Sequence, residues 1–196
     1  MTLIDGKKTS QKIRERLKRE ITALKQKGII PELAVLLVGN DPASKIYVNN
    51  KKKACEKIGI HSTAYILDEN TPQKNILQLI KQLNINPKVH GILVQLPLPK
   101  HVDTRTVLQA IDPTKDVDAF HDINAGKIIK GSANLTPCTP AGIIRLLKEY
   151  DIPISGKVCT IVGRSNIVGK PLSMLMLQED ATVIMCHSKT KNLKDY

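Results

Sequence analysis

The run Leu33-Ala34-Val35-Leu36-Leu37-Val38 is apolar at every position and is closed by Gly39. A strand with one face in water alternates in polarity. One that is apolar throughout needs cover on both faces, the condition of a parallel sheet flanked by helices. The segment Val89-His90-Gly91-Ile92-Leu93-Val94 reads as a second buried strand of this kind, and Ser62 to Leu67 as a further strand. Helical signals fill the gaps. Ile13, Leu17, Ile21 and Leu24 recur at helical spacing from Lys7 to Lys27 before Gly28. Asp41-Pro42 starts a helix that stops at Gly59, and Thr71-Pro72 caps another reaching about Leu83. The fold class is therefore α/β, with an N-terminal parallel-sheet domain.

After the third strand, Gln95-Leu96-Pro97-Leu98-Pro99 forms a rigid exit at a carboxyl strand end, where open α/β sheets bind ligands. Asp103 to Ile111 reads as a short helix. The loop Asp112-Pro113-Thr114-Lys115-Asp116-Val117-Asp118 gathers three acids and a lysine, which by itself suits a solvated turn. Residues 121–138 show little periodicity and read as a connector. Thr139-Pro140 caps a helix through Tyr150, followed by strand Lys157–Val162, helix Val168–Gln178 and strand Ala181–Met185, a βαβ unit. The expected division is residues 1–120, a connector at 121–139, and a partial Rossmann-like domain at 140–196.

On the helix after Asp41-Pro42, Tyr47 and Lys51 stand one turn apart and share a face, which Ser44 is expected to join. A phenol, an ammonium and a hydroxyl would then point together. Because Lys52 and Lys53 follow, the same pattern also suits a solvated face.

Composition narrows the function classes. The formal net charge is +12, and residues 1–60 hold 14 Lys/Arg against 6 Asp/Glu. A nucleic-acid binder would use such charge, but four Tyr, one Phe and no Trp supply few stacking surfaces. Attraction for small polyanionic ligands accounts for the charge as well. Cys55, Cys138, Cys159 and Cys186 are scattered without a C-x-x-C pair, against zinc and a disulfide framework, and in keeping with a reducing cytoplasm. No metal, nucleic-acid or membrane partner is expected; the N-terminus lacks a signal-peptide core, and no apolar run reaches spanning length.

Gly163-Arg164-Ser165-Asn166-Ile167-Val168-Gly169 joins strand to helix where a turn would seat a phosphate on helix N–H groups. Relative to G-x-G-x-x-G, Ser165 and Val168 occupy the second and third glycine positions. An NAD site expects an acid at the end of the next strand. His187-Ser188-Lys189-Thr190 stands there instead, with Arg164 in the first turn. Cations and hydroxyls suit a 2′-phosphate, so NADP is expected over NAD.

Five motifs occur in order: Tyr47-x-x-x-Lys51, Val94-Gln95-Leu96-Pro97-Leu98-Pro99, Lys115-Asp116-Val117-Asp118, Pro137-Cys138-Thr139-Pro140, and Gly163-Arg164-Ser165-x-x-Val168-Gly169-x-Pro171. Together they resemble the bifunctional methylenetetrahydrofolate dehydrogenase/methenyltetrahydrofolate cyclohydrolase family. The resemblance implies oxidation of 5,10-methylenetetrahydrofolate with NADP, then hydrolysis of the methenyl product to 10-formyltetrahydrofolate, in one-carbon metabolism. It implies a folate site with Lys51 moving protons for water addition, Gln95 bonded to Lys51, Tyr47 stacking on the folate, and Asp118 holding the pterin's donor-rich edge. Gly163, Arg164, Ser165, Val168, Gly169 and Ser188 would hold the cofactor. A cytoplasmic homodimer is implied for the full-length protein.

Two departures accompany the resemblance. The family usually has Gly after the second Asp, where this chain has Ala119; if that position needs positive φ, Ala strains the loop. Family members also continue for roughly ninety residues more, enough to complete a six-strand doubly wound sheet, so the chain is expected to be C-terminally truncated. The competing readings are an inactive fragment and a short-chain-type dehydrogenase. The latter also uses Tyr-x-x-x-Lys, but its Gly-rich turn precedes that pair, whereas here it follows.

Overall fold

The computed structural model describes residues 3–196. Two compact units emerge, one formed by Ser10–Val117 and the other by Asp118–Tyr196 with the segment ending at Thr9.

In the first unit, α1 (Gly6–Gln26), from Ser10 onward, leads to β1 (Glu32–Val38), α2 (Pro42–Ile58), β2 (His61–Leu67), α3 (Gln73–Ile85), β3 (Gly91–Val94) and α4 (Thr104–Gln109). The strands form a parallel sheet of order β2-β1-β3. β1 is central and buried on both faces, as its unbroken apolar run requires. Ala34, Leu36 and Val38 pack with Ile76, Ile80 and Leu83 of α3 and Val107 of α4. Val35 and Leu37 form a second core with Val48 of α2 and Leu93, against which Val117 packs. This alternation of faces is the period-two consequence of a strand.

α2 begins and ends by local chemistry. Asp41 is the N-cap, accepting from the Ser44 amide at 2.7 Å, and Pro42 occupies the first turn. Gly59 closes the helix at φ +93°, left-handed backbone that glycine tolerates. At α3 and at α6 (Cys138–Glu149) the expected threonine caps are absent. Pro72 and Pro137 stand at those caps without side-chain bonds, so Thr71 precedes its helix and Thr139 lies inside its own.

In the second unit, α5 (Asp122–Ile129) lies where a connector was expected. The residues read as aperiodic because the helix is short, yet Asn124 and Ile128 are both buried one turn apart, and His121 caps it through its ring nitrogen, 3.1 Å from the Ile123 amide. α6 is followed by β4 (Val158–Val162), α7 (Gly169–Gln178) and β5 (Thr182–Cys186), and β4 and β5 pair in parallel. Ile161, Leu172, Met176 and Ala181 form its core. Val158 and Val162 are 66% and 67% exposed, so described residues cover only one face of this sheet.

Candidate active site

Lys51 and Gln95 meet. The first lies in the third turn of α2 and the second directly follows β3, and Lys51 Nζ donates to Gln95 Oε1 at 3.0 Å. The amide is held on both sides. Its backbone N–H continues the β1–β3 ladder by donating to Leu36 O at 2.8 Å, and its Nε2 donates to Leu96 O at 2.7 Å. With the NH₂ group committed to a carbonyl, only the oxygen can face the ammonium. Lys51 is half-buried, while Lys52 and Lys53 point into solvent. Tyr47 sits one turn before Lys51 and is 63% exposed, an open aromatic surface beside the lysine.

Ser44 does not join this face. It is 3% exposed and falls in the inward stripe of α2 with Val48. It bonds to Asp41 through its amide and its hydroxyl, and these bonds hold the Asp41 carboxyl below its ordinary range. Ser44 is thus part of the helix start, and the candidate face reduces to Tyr47 and Lys51.

The acidic loop is a docked segment rather than a solvated turn. Asp112 Oδ1 accepts from the amide and hydroxyl of Thr114 at 2.8 and 2.7 Å. Asp116 is buried and forms a parallel bridge with Ile92. Val117 then packs so closely on the sheet that a Cβ placed on Gly91 would lie 2.5 Å from Val117 Cγ1. Asp118 is the next residue and is half-buried. Ala119 follows at φ +54°, 3% exposed, so the position where the resembled family usually has glycine is left-handed in this chain.

In the second unit, the β4–α7 turn is built around glycine. Gly163 takes φ +143° with no protein atom within 4 Å of a would-be Cβ, leaving open space at the turn. Its amide donates to Cys186 O at 2.8 Å, which brings the ends of β4 and β5 together. Arg164 and Ser188, each exposed, come just after these tied ends. Ser165 Oγ accepts from the amides of Val168 and Gly169 at 3.1 and 3.3 Å. The third glycine of a dinucleotide fingerprint normally lets helix and strand approach. Here Val168 stands there and Gly169 takes the task. A Cβ on Gly169 would fall 2.1 Å from Gly163 O and 3.0 Å from Arg164 N. An open glycine turn, a cation, two hydroxyls and no carboxylate from His187 to Asn192 fit a 2′-phosphorylated dinucleotide.

Among the described residues no helix is long and apolar enough to cross a membrane, and no cluster of ligating side chains could hold a metal ion. The four cysteines form no disulfide.

Comparison with known proteins gives two family matches. Residues 4–118 match the tetrahydrofolate dehydrogenase/cyclohydrolase catalytic domain, and residues 137–196 match the NAD(P)-binding domain of the same name. The chain is 56% identical over 193 residues to the bifunctional protein FolD of Acetivibrio thermocellus, covering 98% of this chain and 68% of that one. The crystal structure of the FolD methylenetetrahydrofolate dehydrogenase/cyclohydrolase from Campylobacter jejuni superposes with a TM-score of 0.98 at 51% identity, over 100% of this chain and 70% of that one. The Trypanosoma brucei methylenetetrahydrofolate dehydrogenase-cyclohydrolase, complexed with NADP cofactor and inhibitor, gives a TM-score of 0.92 at 34% identity, over 99% of this chain and 66% of that one.

Proposed function

Since the chain belongs to the tetrahydrofolate dehydrogenase/cyclohydrolase family, we propose that it oxidises 5,10-methylenetetrahydrofolate and hydrolyses the methenyl product to 10-formyltetrahydrofolate, with Lys51 as the proton carrier of the second step. NADP is the cofactor, and when bound it supplies the hydride acceptor. Arg164, Ser165, Ser188 and the glycine turn would hold it. The order of motifs and the family match both set aside the short-chain-type reading.

The observation that carries the assignment is the Lys51–Gln95 bond at 3.0 Å. Hydride loss asks the protein mainly for placement, because the folate nitrogens share the positive charge that develops. Tyr47 offers a flat surface for that placement, and Asp118 a carboxylate for the donor-rich pterin edge. Water addition is different: a proton must leave the attacking water and another must reach the departing nitrogen. An amine can carry both if its orientation is fixed without its proton being trapped. Gln95 meets that condition, being a neutral acceptor. A carboxylate in its place would favour the charged ammonium. As part of the same proposal, the full-length enzyme is a cytoplasmic homodimer that engages neither nucleic acid nor membrane.

Replacement of Lys51 by methionine tests the assignment. Methenyltetrahydrofolate hydrolysis, followed by absorbance, is expected to fall by about 10² or more, while part of the NADP-dependent oxidation persists. Arginine should not rescue hydrolysis, because guanidinium keeps its proton near neutral pH. Undiminished hydrolysis would remove Lys51 from the chemistry; equal loss of both activities in a folded protein would make it a placement residue.

A further inference from the structure

We infer that Lys115 is a positioning residue for the folate site, acting through the segment that carries Asp118; the inference deepens the proposal above and rests on it for the role of Asp118. The lysine is half-buried and its ammonium is bonded to the protein. Its Nζ donates to Leu83 O at 3.1 Å and to Asn86 O at 2.8 Å, two carbonyls at the C-terminal end of α3. Each of those carbonyls also accepts one backbone bond, from the Asn86 amide at 3.3 Å and the Val89 amide at 3.2 Å, so the ammonium takes up the remaining acceptor capacity of a helix end whose dipole attracts a cation.

A second side chain grips the same loop from the opposite direction. Asn84 of α3 donates through Nδ2 to Ala110 O at 2.8 Å and accepts from the Asp112 amide at 2.9 Å. α3 and the loop 110–116 are thus joined by four hydrogen bonds, all within the Ser10–Val117 unit. The clamp is transmitted along the backbone. Lys115 O accepts from the Ile92 amide at 2.7 Å, Asp116 bridges Ile92, and Val117 packs against Gly91. Three consecutive residues are then fixed to β3, and the fourth is Asp118. An aspartate that must present its carboxylate to a ligand gains from such fixation, since a loosely held loop would have to be ordered on binding.

The chemistry at Lys115 requires a cation with at least two donors. Lys115→Met keeps the aliphatic stem and removes both bonds, while Lys115→Arg keeps charge and donors. In Lys115→Met, amide hydrogen exchange at Ile92 and Asp116 is expected to speed up about tenfold or more, with the β1 amides Val35 to Leu37 unchanged. The KM for methylenetetrahydrofolate should rise about tenfold with the KM for NADP held within twofold, and Lys115→Arg should recover most of both effects. If Lys115→Met fails to fold, Lys115→Gln, which retains donors without charge, carries the same comparison. Unchanged exchange at Ile92 and Asp116 would overturn the clamp. Faster exchange with an unchanged folate KM would overturn its link to the site. A parallel rise in the KM for NADP would mark a general structural defect and overturn the positioning role. Absence of folate turnover in the unmutated chain would count against the proposed function instead, and the exchange comparison would still decide the clamp.

Discussion

Gly91 opens β3 beneath Val117, and replacing it with alanine puts the packing of the acidic loop to a quantitative test. The added Cβ would sit 2.5 Å from Val117 Cγ1 and 3.3 Å from Leu33 Cδ1. Carbon atoms in good contact stand about 3.5–4.0 Å apart, so the first contact is about 1 Å too short and the second is tight. Val117 is branched at Cβ and has no long stem to bend away. Its neighbour Asp116 is tied to Ile92 by the bridge, so the backbone cannot simply withdraw. Overpacking of this kind costs about 1–3 kcal/mol. Val117→Ala alone removes two partly buried methyl groups, a loss of about 1 kcal/mol at the usual value per carbon. In the double variant Cγ1 is gone, and the Gly91→Ala cost should largely vanish. The coupling between the sites is therefore expected to be about 1–2 kcal/mol in the direction of rescue. Native-state hydrogen exchange of the Val35, Leu36 and Leu37 amides reads the opening free energy of this unit by itself, without requiring the whole chain to unfold in one step. If the two single costs simply add, to within about 0.5 kcal/mol, close packing of Val117 is not what reserves position 91 for glycine.

Three further outcomes are expected. Arg164→Ala should narrow the preference for NADP over NAD by about tenfold in steady-state kinetics; equal use of both cofactors before mutation would dissociate Arg164 from 2′-phosphate recognition. The Asp41 carboxyl is held below its ordinary value, first by the Ser44 amide and then by the Ser44 hydroxyl. Its contribution to the start of α2 is present above the unfolded value and is lost as pH falls through the lowered folded one. Exchange of the Ser44 amide should therefore gain an acid-dependent component that Asp41→Asn, still a capping residue, abolishes. Burial pushes the Cys55 thiol up, with the neighbouring Glu56 carboxylate adding and a Ser62 bond opposing. Exposed Cys138 should accordingly be alkylated about tenfold faster than Cys55 in native protein at pH 8, as peptide mass mapping would register.

The parallel α/β class of the first unit and the limits of α2 were legible because each has a local cause. A strand apolar at every position needs cover on both faces, and Asp-Pro before the helix with Gly after it leaves little choice of helix ends. The Lys51–Gln95 pair was legible only through resemblance, since no spacing rule brings residues 44 positions apart into contact. Ser44 was misplaced because helical angle does not fix burial: it lies about 20° around the helix from Lys51 and about 60° from Tyr47. It is nevertheless buried in the first turn, as Val48 is further along, while Tyr47 is exposed. The role of Lys115 had no local signature at all. Its partners are carbonyls, which every residue possesses, and only the fold says which ones come within its reach. Gly169 illustrates a milder failure, in which the fingerprint is read one residue too early because its packing glycine has moved.

Ala119 carries a consequence for how this gene can vary. Its backbone is left-handed at φ +54° and its side chain is 3% exposed. Single-base changes in an alanine codon reach valine, threonine, proline, serine, aspartate, glutamate and glycine, depending on the third base. Valine and threonine are β-branched and strained at positive φ, and proline is locked at negative φ. Serine, aspartate and glutamate would bring a polar group into a buried place that needs a partner. Glycine alone meets neither obstacle. The codon therefore has one unobstructed exit, and the residue after Asp118 can drift between alanine and glycine.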